Sequence, residues 1–446
     1  MQADDNPQLY FNRCPGGEDW ARFEKYAKLV REIHLAGLHH RHVRILQTIA
    51  EGRRSLNLFP NLHTLEYDMR HALVTPCLLF MHSTTVNRLK LDLPSEYPVD
   101  IQLGAEISSV MDSISRMSKL RKLEITGSEP VFSRDLDRKL VAFKTLTKLE
   151  RIFLPRYAAR GEVYEALANL PALREIGTYN LNQLSRTDIE FAPSLPPESF
   201  PALSALTIST NIQTTQRLLH KHTFFPQLEG LHIDLHEFDS ASLAPLLSDI
   251  AQVCKSLQRL TIWKSSLPQN HSAPLPHVHL STLTPILALA NLTHLELRHP
   301  MSSPGINEAE LKDLAAQTPR IRSLRLVTGD FYNPRPQSLL TLRALVILAV
   351  RCPHLRELEL LLDAAADLHA LPLEPPAFRA LRTLSLNRSN VKDAQRVAFF
   401  LAQMLPRECV LEGNSALWMQ VAIWIPQLVR MRLVTAERAR VLAAFS

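Results

Sequence analysis

Apolar residues recur along this chain in one spacing: an anchor, a second apolar residue three positions later and a third five positions later. The stretch from Cys352 to Leu360 (Cys-Pro-His-Leu-Arg-Glu-Leu-Glu-Leu) displays it, and Phe59 to Tyr67, Phe200 to Ile208 and Phe225 to Ile233 are near-copies. Aligned on the first anchor, thirteen units are found, at Val30, Leu62, Val86, Leu120, Leu149, Leu173, Leu203, Leu228, Leu257, Leu292, Ile321, Leu355 and Leu381. The last two anchors of each unit alternate with polar residues, the period of a short strand buried on one side. Two units are thin: the first rests on Val30, Ile33 and Leu35, and the sixth ends on Thr178. Three positions before the anchor, ten of the thirteen units carry Phe, Leu, Met or Cys, which predicts a further buried rung. Cys254 and Cys352 occupy that slot and read as small core hydrophobes.

Between the strand motifs the period lengthens. Segments His42 to Glu51, Ile101 to Met117, Glu162 to Leu170, Leu243 to Cys254, Glu308 to Ala316, Leu339 to Val350 and Val391 to Leu405 place apolar residues three and four apart, the spacing of amphipathic helices. One strand plus one helix, repeated at a mean of about 29 residues, is the signature of a leucine-rich repeat at the long end of its range. The expected fold is α/β: a leucine-rich-repeat solenoid or horseshoe, with short parallel strands on the concave face and helices on the convex face. The Asn that usually follows the strand occurs once, as Asn211, so the turns are expected to be irregular. Residues 1–28 are read as a lead-in and cap, 29–412 as about thirteen irregular repeats, and 413–446 as C-terminal capping helices. The apolar run from Trp418 to Val429 is short and interrupted by Gln420, Pro426 and Gln427, which predicts a buried cap rather than a membrane span. Proline-rich insertions at Phe191 to Ser199, Ser265 to Pro285, Asp330 to Gln337 and Asp363 to Pro376 fall between strand ends and the next helix, on one rim.

Charge narrows the choice of partner. Fifty basic against 44 acidic residues leave +6 over 446 positions, too diluted to demand a polyanion. Five scattered cysteines without C-x-x-C form neither a disulfide framework nor a zinc knuckle, and no basic-then-apolar leader opens the chain, so a cytoplasmic or nuclear setting is expected. His39, His40, His42, His277 and His279 lack acidic or cysteine partners at ligand spacing and read as solvated. No phosphate loop, G-x-S-x-G or H-E-x-x-H is present, and the expectation is a non-enzymatic protein with no cofactor and no metal.

If the anchors point inward, the residues two, four and six positions after the first anchor line the open strand face. That rule selects Arg88, Lys90, Lys122, Arg151, Phe153 and Tyr179 in the first half, interleaved with Glu66, Asp68, Asp92 and Glu124. In the second half it selects His232, Asp234, Arg259, Trp263, His294, Glu296, Arg298, Arg325, Glu357 and Glu359, with Leu361 after them. Phe153, Tyr179 and Trp263 put aromatic rings among arginines, the composition of protein-binding anchors. Mixed signs argue against a phosphate-backbone groove, so a nucleic-acid partner is not favoured, and a protein substrate is. A second expectation is a leucine-rich-repeat regulator of an enzyme, such as a GTPase activator inserting Arg259 or Arg298 into its partner.

The segment Glu18 to Ile33, with Asp19-Trp20 and Arg22-Phe23 ahead of Tyr26-Ala27, resembles the lead-in to the repeats of fungal F-box and leucine-rich-repeat proteins. The Phe-Pro and Cys-Pro repeat starts are similar to that family too. The resemblance implies a substrate-recognition part of an F-box type ubiquitin-ligase receptor, with no catalytic residue of its own. An F-box would bind the Skp adaptor of a cullin ligase. The first seventeen residues are shorter than that three-helix box and contain no Leu-Pro-x-Glu, so Skp and cullin are implied as partners only where an F-box precedes Met1. An adaptor without the box, unrelated to ubiquitination, is the other form such a relative takes.

Overall fold

The computed structural model describes residues 15–35, 43–53, 55–69, 77–81, 84–93, 101–127, 139–155, 160–179, 193–235, 240–264, 279–299, 305–328, 338–366, 371–387, 389–413 and 415–444. Among them are twelve α-helices and fourteen strands. The chain divides into two compact units, Met1–Ile208 with His222–Phe224, and Ser209–Lys221 with Phe225–Ser446.

The first unit holds β1 (Glu32–Leu35), β2 (Thr64–Asp68), β3 (Arg88–Asp92), β4 (Lys122–Thr126), β5 (Arg151–Pro155), β6 (Glu175–Tyr179) and most of β7 (Ala205–Thr210). Each pairs in parallel with the next in chain order. Its helices are α1 (Gly17–Ala27), α2 (Val43–Gly52), α3 (Cys77–Met81), α4 (Ile101–Ser115) and α5 (Gly161–Leu167). The second unit holds β8 (Gly230–Leu235), β9 (Arg259–Lys264), β10 (His294–His299), β11 (Ser323–Thr328), β12 (Glu357–Leu360), β13 (Thr383–Ser385) and β14 (Val410–Glu412), again parallel throughout. Its helices are α6 (Ile212–Lys221), α7 (Ser240–Val253), α8 (Leu280–Leu287), α9 (Glu308–Gln317), α10 (Arg343–Arg351), α11 (Ala394–Met404) and α12 (Ala416–Ala444). Each unit is an α/β leucine-rich-repeat solenoid.

All thirteen sequence units become strands, and each strand begins two residues after its first anchor. The backbone supplies the reason. The amides one and two positions after an anchor both donate to a single carbonyl of the preceding repeat, as Gln258 and Arg259 do to Glu229 (2.8 and 2.9 Å) and Arg322 and Ser323 do to Thr293 (2.7 and 3.0 Å). One carbonyl with two lone pairs thus starts the next strand in register. In eleven units the anchor amide also closes a turn onto the carbonyl three residues earlier, for example Leu355 onto Cys352 at 3.1 Å. That turn drives the preceding side chain inward. Met117, Leu146, Phe200, Phe225, Cys254 and Cys352 are all buried there, and burial pushes the Cys254 thiol up to about 12 and that of Cys352 to about 11. The thin first unit is half-exposed at Val30, Ile33 and Leu35.

Helix α8 appears inside the expected proline-rich insertion, with Pro285 in it, because Leu283 and Ile286 find complete burial. The preceding residues 265–278 and the insertion at 330–337 lie outside the described residues. Each unit ends on a tryptophan set against a glycine. In the first, Trp20 on α1 covers Gly52, where an added Cβ would lie 2.9 Å from its ring, and Phe23, Phe59 and Phe80 continue the stack at 5.6 to 5.9 Å between centroids. In the second, Trp418 on α12 is fully buried beside Gly413.

The run from Trp418 to Val429 is not a buried helix throughout, as the sequence had suggested. Trp418, Val421, Ile425 and Val429 face the core, whereas Met419 and Ile423 are exposed. A helix at the end of a stack has a neighbour on one side only, so half of its apolar surface has nothing to cover it.

Candidate binding face

Strand register arranges the open face of each unit in rows. In the first unit, the row two residues after the anchors reads Thr64, Arg88, Lys122, Arg151, Glu175 across β2 to β6. The row four after reads His34, Glu66, Lys90, Glu124, Phe153, Gly177. Two of the three stacked cations are compensated locally: Lys122 pairs with Glu124, and Arg151 Nε lies 3.4 Å from Glu175. Lys90 sits between Glu66 and Glu124 in register. His34 Nδ1 lies 2.9 Å from Glu66, and that hydrogen bond, with a second to Glu32, raises the imidazole above its ordinary value. Arg88 is exposed.

Phe153 is half-buried, and the partner that holds it was not selected from sequence. The Cδ1–Cε1 edge of its ring lies against Gly177, where an added Cβ would stand 2.3 Å from Phe153 Cδ1, and Lys122 Nζ is 5.8 Å from the ring centroid. A lone glycine inside a strand pattern is the signal that exposes such a contact. Gly177→Ala is therefore expected to cost about 1–3 kcal/mol by forcing the ring off its seat. In a Phe153→Ala background the same change should be nearly neutral. Equal costs in both backgrounds, by urea denaturation, would show that the ring does not need the glycine. Tyr179 aligns with Pro155 on β5, and its side chain lies outside the described residues.

In the second unit the row four after the anchors reads His232, Thr261, Glu296, Arg325, Glu359, Ser385, Glu412, and the next row begins Asp234, Trp263, Arg298. These two rows converge on Trp263. The His232 ring meets it edge-on at 4.9 Å between centroids, and the Arg298 guanidinium stacks 4.8 Å from the indole centroid. Arg298 is held further by Glu296 through Nε and approaches Glu359 at 3.8 Å. Arg325 turns to Glu357, 2.9 Å away, which also accepts from Ser323 at 3.1 Å. The two glutamates of β12 thus serve different arginines. Arg259 is exposed at the start of β9.

The site is half-dry, and its titrating groups register that. Burial holds His232 below its ordinary value against the pull of Asp234 and Glu296, and burial likewise lowers His294. Burial pushes the Glu359 carboxyl up, although Arg298 and Arg325 draw it the other way. The Trp263 indole Nε1 is buried without an acceptor among the described residues. An uncompensated buried donor is a feature that folding alone does not favour.

In the third row the sequence rule holds for Trp263 and Arg298 and fails at three positions. Asp68, Asp234 and Leu361 were expected on the open face and are buried. Strand β12 ends at Leu360, so Leu361 turns inward with its carbonyl accepting from Ser338 Oγ at 2.7 Å. Asp234 is enclosed beside Ser209 Oγ at 3.3 Å. Of the histidines read as solvated, His279 is exposed ahead of α8 with Nδ1 3.2 Å from the Gly305 carbonyl, and the other four lie outside the described residues.

No family model matches the chain. A search of characterised proteins finds similarity to an F-box/LRR-repeat MAX2 homolog of Oryza sativa subsp. japonica, 29% identical over 213 residues, which cover 46% of this chain and 25% of the relative. A distant, partial relative of the chain is thus an F-box/LRR-repeat protein. The matched part spans about a quarter of that relative's length. Among the described residues, no helix is long and apolar enough to cross a membrane.

Proposed function

We propose that the chain is a non-enzymatic protein-interaction scaffold, the substrate-recognition part of an F-box type ubiquitin-ligase receptor. The observation that carries this reading is the Trp263 cluster: an aromatic ring clamped between His232 and Arg298, with Glu296, Glu357 and Glu359 beside it on an open sheet face. Large rings and arginines surrounded by paired charge are the anchors of protein interfaces, where their burial on binding yields most of the affinity. The rows four after the anchors mix both signs, which suits a protein surface better than a uniform polyanion. Similarity to an F-box/LRR-repeat protein supports placing the scaffold in ligase recruitment.

The test is chemical crosslinking and affinity purification of the full chain from its native cells, with mass spectrometry of the crosslinked peptides. Crosslinks from one recovered protein to the strands of either open face are expected, together with a Skp adaptor when the full-length gene product is used. Recovery of a partner without any Skp or cullin subunit would leave the scaffold and remove the ligase. Crosslinks that avoid both open faces would remove the scaffold reading as stated.

A further inference from the structure

The outer side of the C-terminal cap is a second surface, separate from the strand faces. A trough of about 660 Å³ runs between α11 and α12 and is closed at one end by the segment 371–373. Its apolar lining is Leu373, Phe399, Phe400, Trp424, Leu428 and Met431. Three of these are far more exposed than such side chains normally are: Leu373 at 93%, Phe399 at 60% and Met431 at 65%. Ile423, at 65%, extends the same apolar surface along α12. The inner positions Trp418, Val421, Ile425 and Val429 already close the repeat stack, and Ile423 and Met431 are left exposed by that packing.

Charge decides what covers it. Arg396 is the charged residue that lines the trough, with Gln395, Gln403 and Gln427 as its polar neighbours, and no carboxylate takes part in the lining. Arg396 is kept upright by Asp393, 3.3 Å away one turn earlier. The α12 sequence carries Arg430, Arg432, Arg438 and Arg440 against Glu437. Arg432 is spent on the fold, its guanidinium donating to the Gln403 and Leu405 carbonyls at the end of α11. Arg430 is exposed. A second copy of this helix would bring arginines against arginines, and an anionic lipid surface would match the charge without filling a concave trough between two helices. A trough with apolar walls, Arg396 in its lining and Arg430 on the helix that forms one wall fits an amphipathic helix.

We propose that the α11–α12 trough docks a helical segment of a partner protein, apolar on one face at i, i+4 and i+7 and acidic on the other. Its apolar residues enter between Phe399 and Met431, and its carboxylates meet Arg396 and Arg430. This surface is independent of the strand faces, so it stands whether or not those bind a ligase substrate.

The test uses the full chain and three labelled synthetic peptides of about five helical turns. One has a leucine and phenylalanine stripe with glutamate elsewhere, one replaces each glutamate by lysine, and one scrambles the acidic peptide so that the stripe is lost. Fluorescence anisotropy is expected to show the acidic striped peptide binding tighter than either control by about tenfold or more. Phe399→Glu and Met431→Glu should each weaken it by about tenfold or more while the circular-dichroism melting curve stays in place, because both side chains are exposed. Equal or tighter binding of the basic peptide, or binding untouched by both variants, overturns the proposal. So does a concentration-dependent dimer in sedimentation that Phe399→Glu dissociates, which would make this face a self-interface. Cosedimentation with phosphatidylserine vesicles, abolished by the same variants, would assign the face to lipid instead and overturn it equally.

Discussion

Trp418→Ala is expected to destabilise the second unit by about 3–5 kcal/mol, the largest single effect in the protein. Trp418 is the largest of the fully buried side chains. Its indole Nε1 donates to the Ser389 carbonyl at 2.9 Å, and Ser389 in turn holds the Leu362 amide through its hydroxyl at 2.9 Å. Truncation opens a cavity and leaves a buried carbonyl without its donor, two penalties that act together. The Trp418 side chain rests directly on Gly413, where an added Cβ would lie 2.4 Å from Trp418 Cβ. The urea midpoint of the isolated variant is the measurement. Trp418→Phe should recover part of the loss by refilling the volume without the hydrogen bond. A loss below about 1 kcal/mol for the alanine variant would mean that α12 adds little to the stack.

Trp263→Ala is expected to weaken the partner recovered by crosslinking to the second unit by about 2 kcal/mol, close to thirtyfold. Removing the ring takes away the surface that His232 and Arg298 both contact, at 4.9 and 4.8 Å, so three anchors loosen at once. Arg298→Lys probes the same cluster differently. It keeps the charge and loses the planar stack on the indole together with the fork that serves Glu296 and Glu359, so a loss of about tenfold is expected. Arg259→Ala, at an exposed position outside the cluster, should change affinity by less than about threefold. Calorimetric titration of the purified pair distinguishes these outcomes. Trp263→Ala within about twofold of the parent would remove the cluster from the interface.

The repeats were legible because they are redundant. A spacing of three and five, reiterated thirteen times, places Leu65, Leu89, Leu123 and Ile152 inside and Lys90, Glu124 and Phe153 outside without any knowledge of neighbours. Strand starts followed for the same reason, since in eleven units the two amides after the anchor find one carbonyl of the repeat before. The third row was less legible. Asp68, Asp234 and Leu361 obey the alternation in sequence and are still buried: Asp234 aligns with Trp263 and is covered by neighbours such as Ser209, whereas Leu361 lies past the end of β12. Helix α8 shows the opposite case, where proline content suggested a loop and the burial of Leu283 and Ile286 prevailed.

By itself, then, the sequence determined the repeat, the parallel order of its strands and the list of side chains available to the open faces, all of which depend on local period. Tertiary structure alone decided which of those side chains meet. Trp263 lies on β9 and is clamped by residues of β8 and β10, Phe153 on β5 needs the bare backbone of Gly177 on β6, and Glu357 and Glu359, two residues apart, serve different arginines. Such contacts run across strands separated by some thirty positions, and rotamer and register, not spacing along the chain, set them. The unpartnered side of α12 was hidden for a related reason. An apolar stretch records that burial is favourable, and only the packed structure shows on which side the chain itself supplies it.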